Sequence, residues 1–239
     1  MVPPRPRLAR DWLDLHLSAL FVHDERGRIV TRNALDRGPA PRFFLGRTPD
    51  GNRWRFRGDL PDDLVSRLEA LCREEPPATD LRAPPRHGER YRELLAAHAP
   101  IAETWSGPAY RFPAALPPTT PHVVRLTAEN AHLLRGGDLE PRLEDIGQSE
   151  PLVALVREDR AVSVCGSVRI TPEAHEAGVE TSTGARGSGF AVAVVAAWAR
   201  AVRQLGAEPL YSTSWDNAAS QAVARKLGLI PYASTFHMT

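Results

Sequence analysis

The sequence predicts an α/β (α+β) chain in two parts: a mixed β-sheet flanked by helices over residues 121–239, and a smaller N-terminal α+β part over residues 1–115. Three observations predict it. Strand-like and helix-like hydrophobic periods alternate along the chain. Pro113, Pro117, Pro118 and Pro121 cluster, and because proline fixes φ and turns the preceding residue away from helix, an extended linker is expected there. A glycine-rich segment, GARGSG at 184–189, joins an apolar strand to an apolar helix.

In the first part, Leu8, Trp12, Leu15 and Ala19 recur at helical spacing. Two hairpins are expected next, Ala19–Val22 with Arg28–Arg32 around HDERG, and Phe43–Gly46 with Trp54–Phe56 around RTPDGNR. A helix opens at Asp59 or Pro61 with Leu64, Leu68 and Leu71 on one face, and another covers Glu89–His98. Arg53, Arg55 and Arg57 alternate along a strand, the pattern of a solvated sheet face. In the second part, a strand at His122–Leu126 leads to a helix capped by Thr127. Strands at Leu152–Arg157, Ala161–Ile170 and Gly178–Thr183 follow. Val194, Trp198, Val202 and Leu205 mark the buried stripe of a helix ended by Gly206. Pro209–Thr213 is a strand, Asn217–Leu227 a helix, and Ile230–Met238 a final pair of strands.

Composition excludes several functions. Lys+Arg 30 against Asp+Glu 29 leaves a net charge of +1, without the basic excess of a nucleic-acid binder. Lys226 is the only lysine, which excludes a Schiff-base lysine elsewhere and a P-loop GK[ST]. Cys72 and Cys165 form neither a CxxC nor a zinc set, so a reduced, cytoplasmic protein is expected. The first apolar stretch is interrupted by Asp14 and His16, unlike a signal peptide, and the longest apolar run, Phe190–Ala199, is half a membrane span.

The glycine loop carries the chemistry. Glycines at 184, 187 and 189 remove Cβ atoms where a ligand approaches backbone N–H groups, and the helix behind them offers free donors and a positive dipole end. The spacing is G-x-x-G-x-G, neither the Rossmann G-x-G-x-x-G nor Walker A. A tight turn with no ligand is the bland alternative.

Arg186-Gly187-Ser188-Gly189-Phe190-Ala191 resembles the [QR]-x-x-G-x-[GA] loop of the GNAT superfamily of acyl-coenzyme A-dependent N-acetyltransferases. Downstream, Asn217-Ala218-Ala219-Ser220 and Ala224-Arg225-Lys226-Leu227-Gly228-Leu229 are similar to the second signature of that superfamily. The resemblance covers residues 121–239 and implies a splayed sheet that takes acetyl-CoA without a metal. It implies that pantetheine pairs with the backbone of Thr181, Ser182 and Thr183. The pyrophosphate would sit on Arg186 to Ala191, and Asn217 would line the other wall.

An alkyl ammonium acceptor needs a base, and the resemblance points to Glu180, whose bland alternative is a solvent-facing carboxylate. The superfamily's usual tyrosine position is Ala224, which leaves Ser220 as the candidate to hydrogen-bond the departing sulfur. Tyr211 and Tyr232 are later candidates with packing as the alternative. The implied activity is N-acetyl transfer to a primary amine on a small molecule, with neither nucleic acid nor membrane as partner and homodimerisation left open. A non-catalytic acyl-coenzyme A-binding module is the rival from a different class.

Overall fold

The computed structural model describes residues 7–35, 38–118, 120 and 122–239; Pro121, counted above in the proline cluster, lies outside them. Along the chain run α1 (Ala9–Leu20), β1 (Phe21–His23), β2 (Ile29–Arg32), β3 (Phe43–Thr48), β4 (Gly51–Phe56), α2 (Asp62–Glu74), α3 (Gly88–His98) and β5 (Thr104–Arg111). Then come β6 (Val123–Arg125), two 3-10 helices (Ala128–Leu134 and Glu140–Asp145), β7 (Val153–Arg157), β8 (Arg160–Ile170) and β9 (Ala174–Thr181). A short 3-10 turn (Thr183–Ala185) precedes α4 (Phe190–Gln204), β10 (Glu208–Ser212), α5 (Ala218–Lys226) and β11 (Ile230–Met238). The chain forms two compact units. One gathers the described residues up to Tyr110 with Ser212–Asn217 and Pro231–Thr239; the other comprises Arg111–Tyr211 and Ala218–Ile230.

In the first unit the strand order is β4-β3-β11-β5, beside the separate hairpin β1-β2. Every residue of β3 is buried, which accounts for the unbroken apolar start of FFLGRT. Phe43 and Leu45 face one core with Leu64 and Leu68 of α2 and Tyr91 and Leu95 of α3. Phe44, between them, faces a second core with Leu13 and Leu17 of α1, and Phe21 and Ile29 of the hairpin. Acidic Asp62 and Asp63 begin α2 and Arg73 ends it, each matched to the helix dipole. Buried Arg42 donates to the carbonyls of Leu95, Ala99 and Pro100, tying the end of α3 to the sheet. Arg53 of the alternating face clasps Asp14 with two bonds, and Arg57 clasps Asp59.

The second unit holds β10-β9-β8-β7-β6. Leu126, Leu134, Leu139, Leu152, Ala154 and Val164 form a core under the 3-10 helices. Val194, Trp198 and Val202 of α4 are fully buried, as the stripe predicts. Leu205 is not: as the residue capping the helix end it is 59% exposed. A polar chain crosses this packing. Trp198 Nε1–H donates to Ser167 Oγ at 3.0 Å, and Ser167 Oγ lies 2.9 Å from His175 Nδ1. Arg200 donates to the carbonyl of Leu116, and Arg203 to those of Phe112, Pro113 and Ala114.

Several expected elements differ. β5 replaces what the sequence leaves without structure, and β11 is one strand rather than a pair. The helix expected after Thr127 is 3-10, broken where Asn130 takes φ −114° and donates to the Arg125 carbonyl. β9 begins four residues before the expected Gly178.

Candidate functional site

The site grows from the way β9 and β10 part. They pair in parallel only at Ala174–Glu208, His175–Pro209 and Glu176–Leu210, and β9 then continues to Thr181. On its other side β9 is antiparallel to β8. Backbone groups of a strand point alternately to its two neighbours. The amide of Ser182 donates to Val162 O, on the β8 side, so the backbones of Val179 and Thr181 face the side from which β10 has diverged. Of the three residues implied to pair with a pantetheine arm, Thr181 has the open orientation and Ser182 is committed to β8. The amide of Thr183 donates to Asp138 Oδ2 at 2.6 Å. That bond from the Thr183 backbone, reinforced by the Thr183 side chain, holds the Asp138 carboxyl below the usual carboxylate range. Arg186 Nε donates back to Thr181 O at 3.4 Å.

Residues 186–189 form an exposed loop. Gly187 and Gly189 both have φ +80°, the left-handed region that side chains avoid. A Cβ built on Gly184, Gly187 or Gly189 meets nothing within 4 Å, so open space lies before this backbone. Gly189 is the N-cap of the fifteen-residue α4, whose first N–H groups have no partner within the helix beyond the Val192–Gly189 bond. The side chain of Arg186 and that of Arg157, 6.0 Å from the Phe190 ring, add positive charge. Unobstructed amides, a helix dipole and two guanidinium groups are a donor set suited to a diphosphate. Among the described residues no cluster of His, Cys, Asp or Glu suits a metal ion, and no helix is long and apolar enough to cross a membrane.

Glu180 is cross-strand partner to Val164 and shares its face of the sheet, the side covered by the first two 3-10 helices. Its side chain is 46% exposed, and its carboxylate lies 3.9 Å from Arg142 Nε. Arg142 in turn lies 2.7 Å from Asp145 Oδ2. Asp145 also accepts from Ser149 Oγ–H at 3.2 Å. Neither Arg142 nor Asp138 is signalled in the sequence, because both lie on 3-10 or loop segments with no periodic pattern.

Ser220 lies in the first turn of α5, half-buried, with its Oγ 2.6 Å from the Tyr211 hydroxyl. Tyr211 is 1% exposed and Ala224, one turn beyond Ser220, is equally buried. Asn217 is exposed on the segment that enters α5, where its amide donates to Ser214 O. That segment belongs to the first unit and is laid against β5: Thr213 N–H donates to Pro108 O and Trp215 N–H to Ser106 O. Tyr232 lies elsewhere in that unit, its hydroxyl 2.9 Å from His16 Nδ1. Cys72 and Cys165 are free and buried, and burial pushes both thiols up, Cys72 to about 12, so neither is a ready nucleophile.

Residues 153–233 match the family model described as GNAT acetyltransferase, a span that includes β7 to α5 and the whole glycine loop. No curated protein matches the chain. Among solved structures it is similar to a GNAT-family protein from Novosphingobium aromaticivorans, at 16% identity and TM-score 0.46, over 58% of this chain and 66% of that one, just under two thirds of the latter's length. It is also similar to a GNAT-family acetyltransferase from Colwellia psychrerythraea, at 12% identity and TM-score 0.49, over 98% of each chain. A tandem GNAT protein from the clavulanic acid biosynthesis pathway aligns at 14% identity and TM-score 0.44, over 98% of this chain and 97% of that one.

Proposed function

We propose that this chain, similar to the GNAT acetyltransferases over residues 153–233, moves an acetyl group from acetyl-CoA to a primary amine on a small molecule. The observation that carries the reading is the open loop at 186–189, with two left-handed glycines ahead of a helix that starts at Phe190. In this reading residues 121–239 carry the reaction, residues 1–115 are an accessory part, and the protein works in a reduced cytoplasm.

When bound, acetyl-CoA supplies an acetyl group already activated as a thioester. The chain's own residues do the rest. Amides from Arg186 to Ala191 hold the diphosphate, and the outward backbone of Val179 and Thr181 orients the arm as an added strand would be oriented. Glu180 takes the proton of the acceptor ammonium at its carboxylate, and the nearby Arg142 keeps that carboxylate oriented. Ser220 holds its hydroxyl toward the departing sulfur.

Calorimetry with coenzyme A, on the wild type and on Gly189→Val, tests the reading together with a thiol-release assay over a panel of amines. The wild type should bind and release thiol. Gly189→Val strains an exposed loop by about 1–2 kcal/mol without touching a core, so it should fold and fail to bind. Unchanged affinity in that variant would refute the diphosphate assignment. Binding with no thiol release on any amine would favour the non-catalytic rival.

A further inference from the structure

Arg142 stands beside Glu180 with the tip of its guanidinium open. Its Nε lies 2.7 Å from Asp145 Oδ2 and 3.9 Å from Glu180 Oε2. That nitrogen is buried, whereas the two terminal nitrogens have no hydrogen-bond partner among the described residues and reach the surface. Asp145 is itself anchored from below, since it accepts at 3.2 Å from Ser149, which is 1% exposed. The guanidinium is therefore held along its inner edge. The N–H groups at its tip match the two oxygens of a carboxylate. We propose that the acceptor is an amine with a carboxylate beside its nitrogen, an α-amino acid, whose ammonium meets Glu180 while its carboxylate lies across the terminal N–H groups of Arg142.

Distance sets the class. Glu180 and Arg142 are 3.9 Å apart, so one molecule that meets both must hold its cation and its anion close together. A free amino acid does so, with a single carbon between nitrogen and carboxyl group; a long diamine or a lysine side chain does not. Charge agrees. Asp145 is spent on the buried edge of Arg142, and the ammonium answers Glu180, which leaves the guanidinium tip for an anion. An acceptor without a carboxylate would cover those N–H groups and leave them unmet, which weakens binding. The inference rests on the acetyl-transfer reading above. In that reaction the ammonium gives one proton to Glu180, and the amine nitrogen bonds to the acyl carbon in place of sulfur. Sulfur leaves with the electron pair of the broken C–S bond and takes the second proton of the nitrogen, so the products are an N-acetyl amino acid and a thiol.

The test sets each standard amino acid that has a primary amine against its own carboxamide. Thiol-release assays with acetyl-CoA read turnover, and calorimetry on the coenzyme A-saturated protein reads binding of the same compounds. At least one amino acid should exceed its carboxamide by roughly 10- to 100-fold in kcat/KM and in affinity, the range of a bidentate charge-assisted pair. Arg142→Gln should abolish that preference, and Arg142→Lys, a point charge without the fork, should keep only part of it. The preference is a ratio taken within each protein, so a loss common to both acceptors cancels, and the wild-type ratio needs no variant at all. A wild type that uses carboxamides as well as acids overturns the inference and leaves the acetyl-transfer reading standing. So does an Arg142→Gln protein with the wild-type preference. Better use of the aminophosphonate analogue of alanine than of alanine itself also overturns it, by assigning the tip of Arg142 to a phosphoryl group. A protein that binds coenzyme A but neither binds nor acetylates any amino acid overturns it too. A wild type that does not bind coenzyme A overturns the acetyl-transfer reading, and the inference with it.

Discussion

Gly107→Ala puts a methyl group where there is no room for one. A Cβ built on Gly107 lies 1.8 Å from the carbonyl oxygen of Thr213 and 2.8 Å from Ser214 Cα, both backbone atoms that cannot swing aside as a side chain would. Ordinary contact needs about 3.5 Å, so the strand segment must retreat by roughly 1.5 Å. That retreat breaks the bonds from Thr213 N–H to Pro108 O at 3.3 Å and from Trp215 N–H to Ser106 O at 3.1 Å. Two such bonds contribute about 1 kcal/mol each, and the overpacking adds about 1–3 kcal/mol. The expected loss is roughly 3–5 kcal/mol, a fall in Tm of roughly 10 °C for a chain of this size. Differential scanning calorimetry measures it, with Gly88→Ala as control: that glycine opens α3, its built Cβ touches only Pro85 at 4.0 Å, and the change should be neutral or stabilising. A Gly107→Ala protein that melts within a degree of wild type would show that the close approach is not needed.

Glu180→Gln keeps the size and hydrogen bonding of the side chain but cannot take a proton, so kcat should fall by roughly 10²–10⁴-fold at neutral pH. The loss should shrink at high pH, where free amine is present; a wild-type kcat at pH 7 removes Glu180 from the mechanism. Two histidines, buried His175 and half-buried His237, should make the fold sensitive to acid. Burial lowers His175, and lowers His237 to about 4, so near pH 5 the native state binds fewer protons than the unfolded chain, whose histidines titrate near 6.5. Their contribution is complete above about pH 6.5 and is lost as pH falls toward the native values, about 2 kcal/mol by pH 5 for His237 alone. Urea melts at pH 7.5 and pH 5 should show this loss, and His237→Gln should remove most of it. An unchanged difference between the two pH values in that variant counts against the assignment.

What the sequence made legible followed from period and punctuation. α1, α2, α3 and α4 each carry an apolar stripe, and their observed ends fall within a few residues of the expected ones. β5 was hidden by Gly107-Pro108, a dipeptide that reads as a turn. Here the glycine serves a close approach, and the Pro108 carbonyl still accepts a ladder bond from Thr213. The start of β9 was hidden because His175 and Glu176 look like loop residues, yet both are buried, and His175 is accommodated by Ser167. At the candidate site, the glycine loop was legible because glycine spacing is a local signal. Asp138 and Arg142 were not, nor was the pairing of Tyr211, itself a later candidate, with Ser220. Their contacts with Thr183, Glu180 and Ser220 bridge 45, 38 and 9 residues of sequence, and only folding brings the partners together.

The clasps made by Arg42, Arg200 and Arg203 on main-chain carbonyls have a consequence for chemical durability. A planar guanidinium with five N–H groups can hold several carbonyls at once, which a single ammonium point cannot do with fixed geometry. It also stays protonated at any pH the protein meets, and a protonated guanidinium is no nucleophile toward an activated ester. With Lys226 as the sole lysine, the cations that secure the framework are inert to amine-directed reagents. A reagent that acylates lysine should therefore label the side chains of this chain only at the end of α5 and leave its melting temperature unchanged.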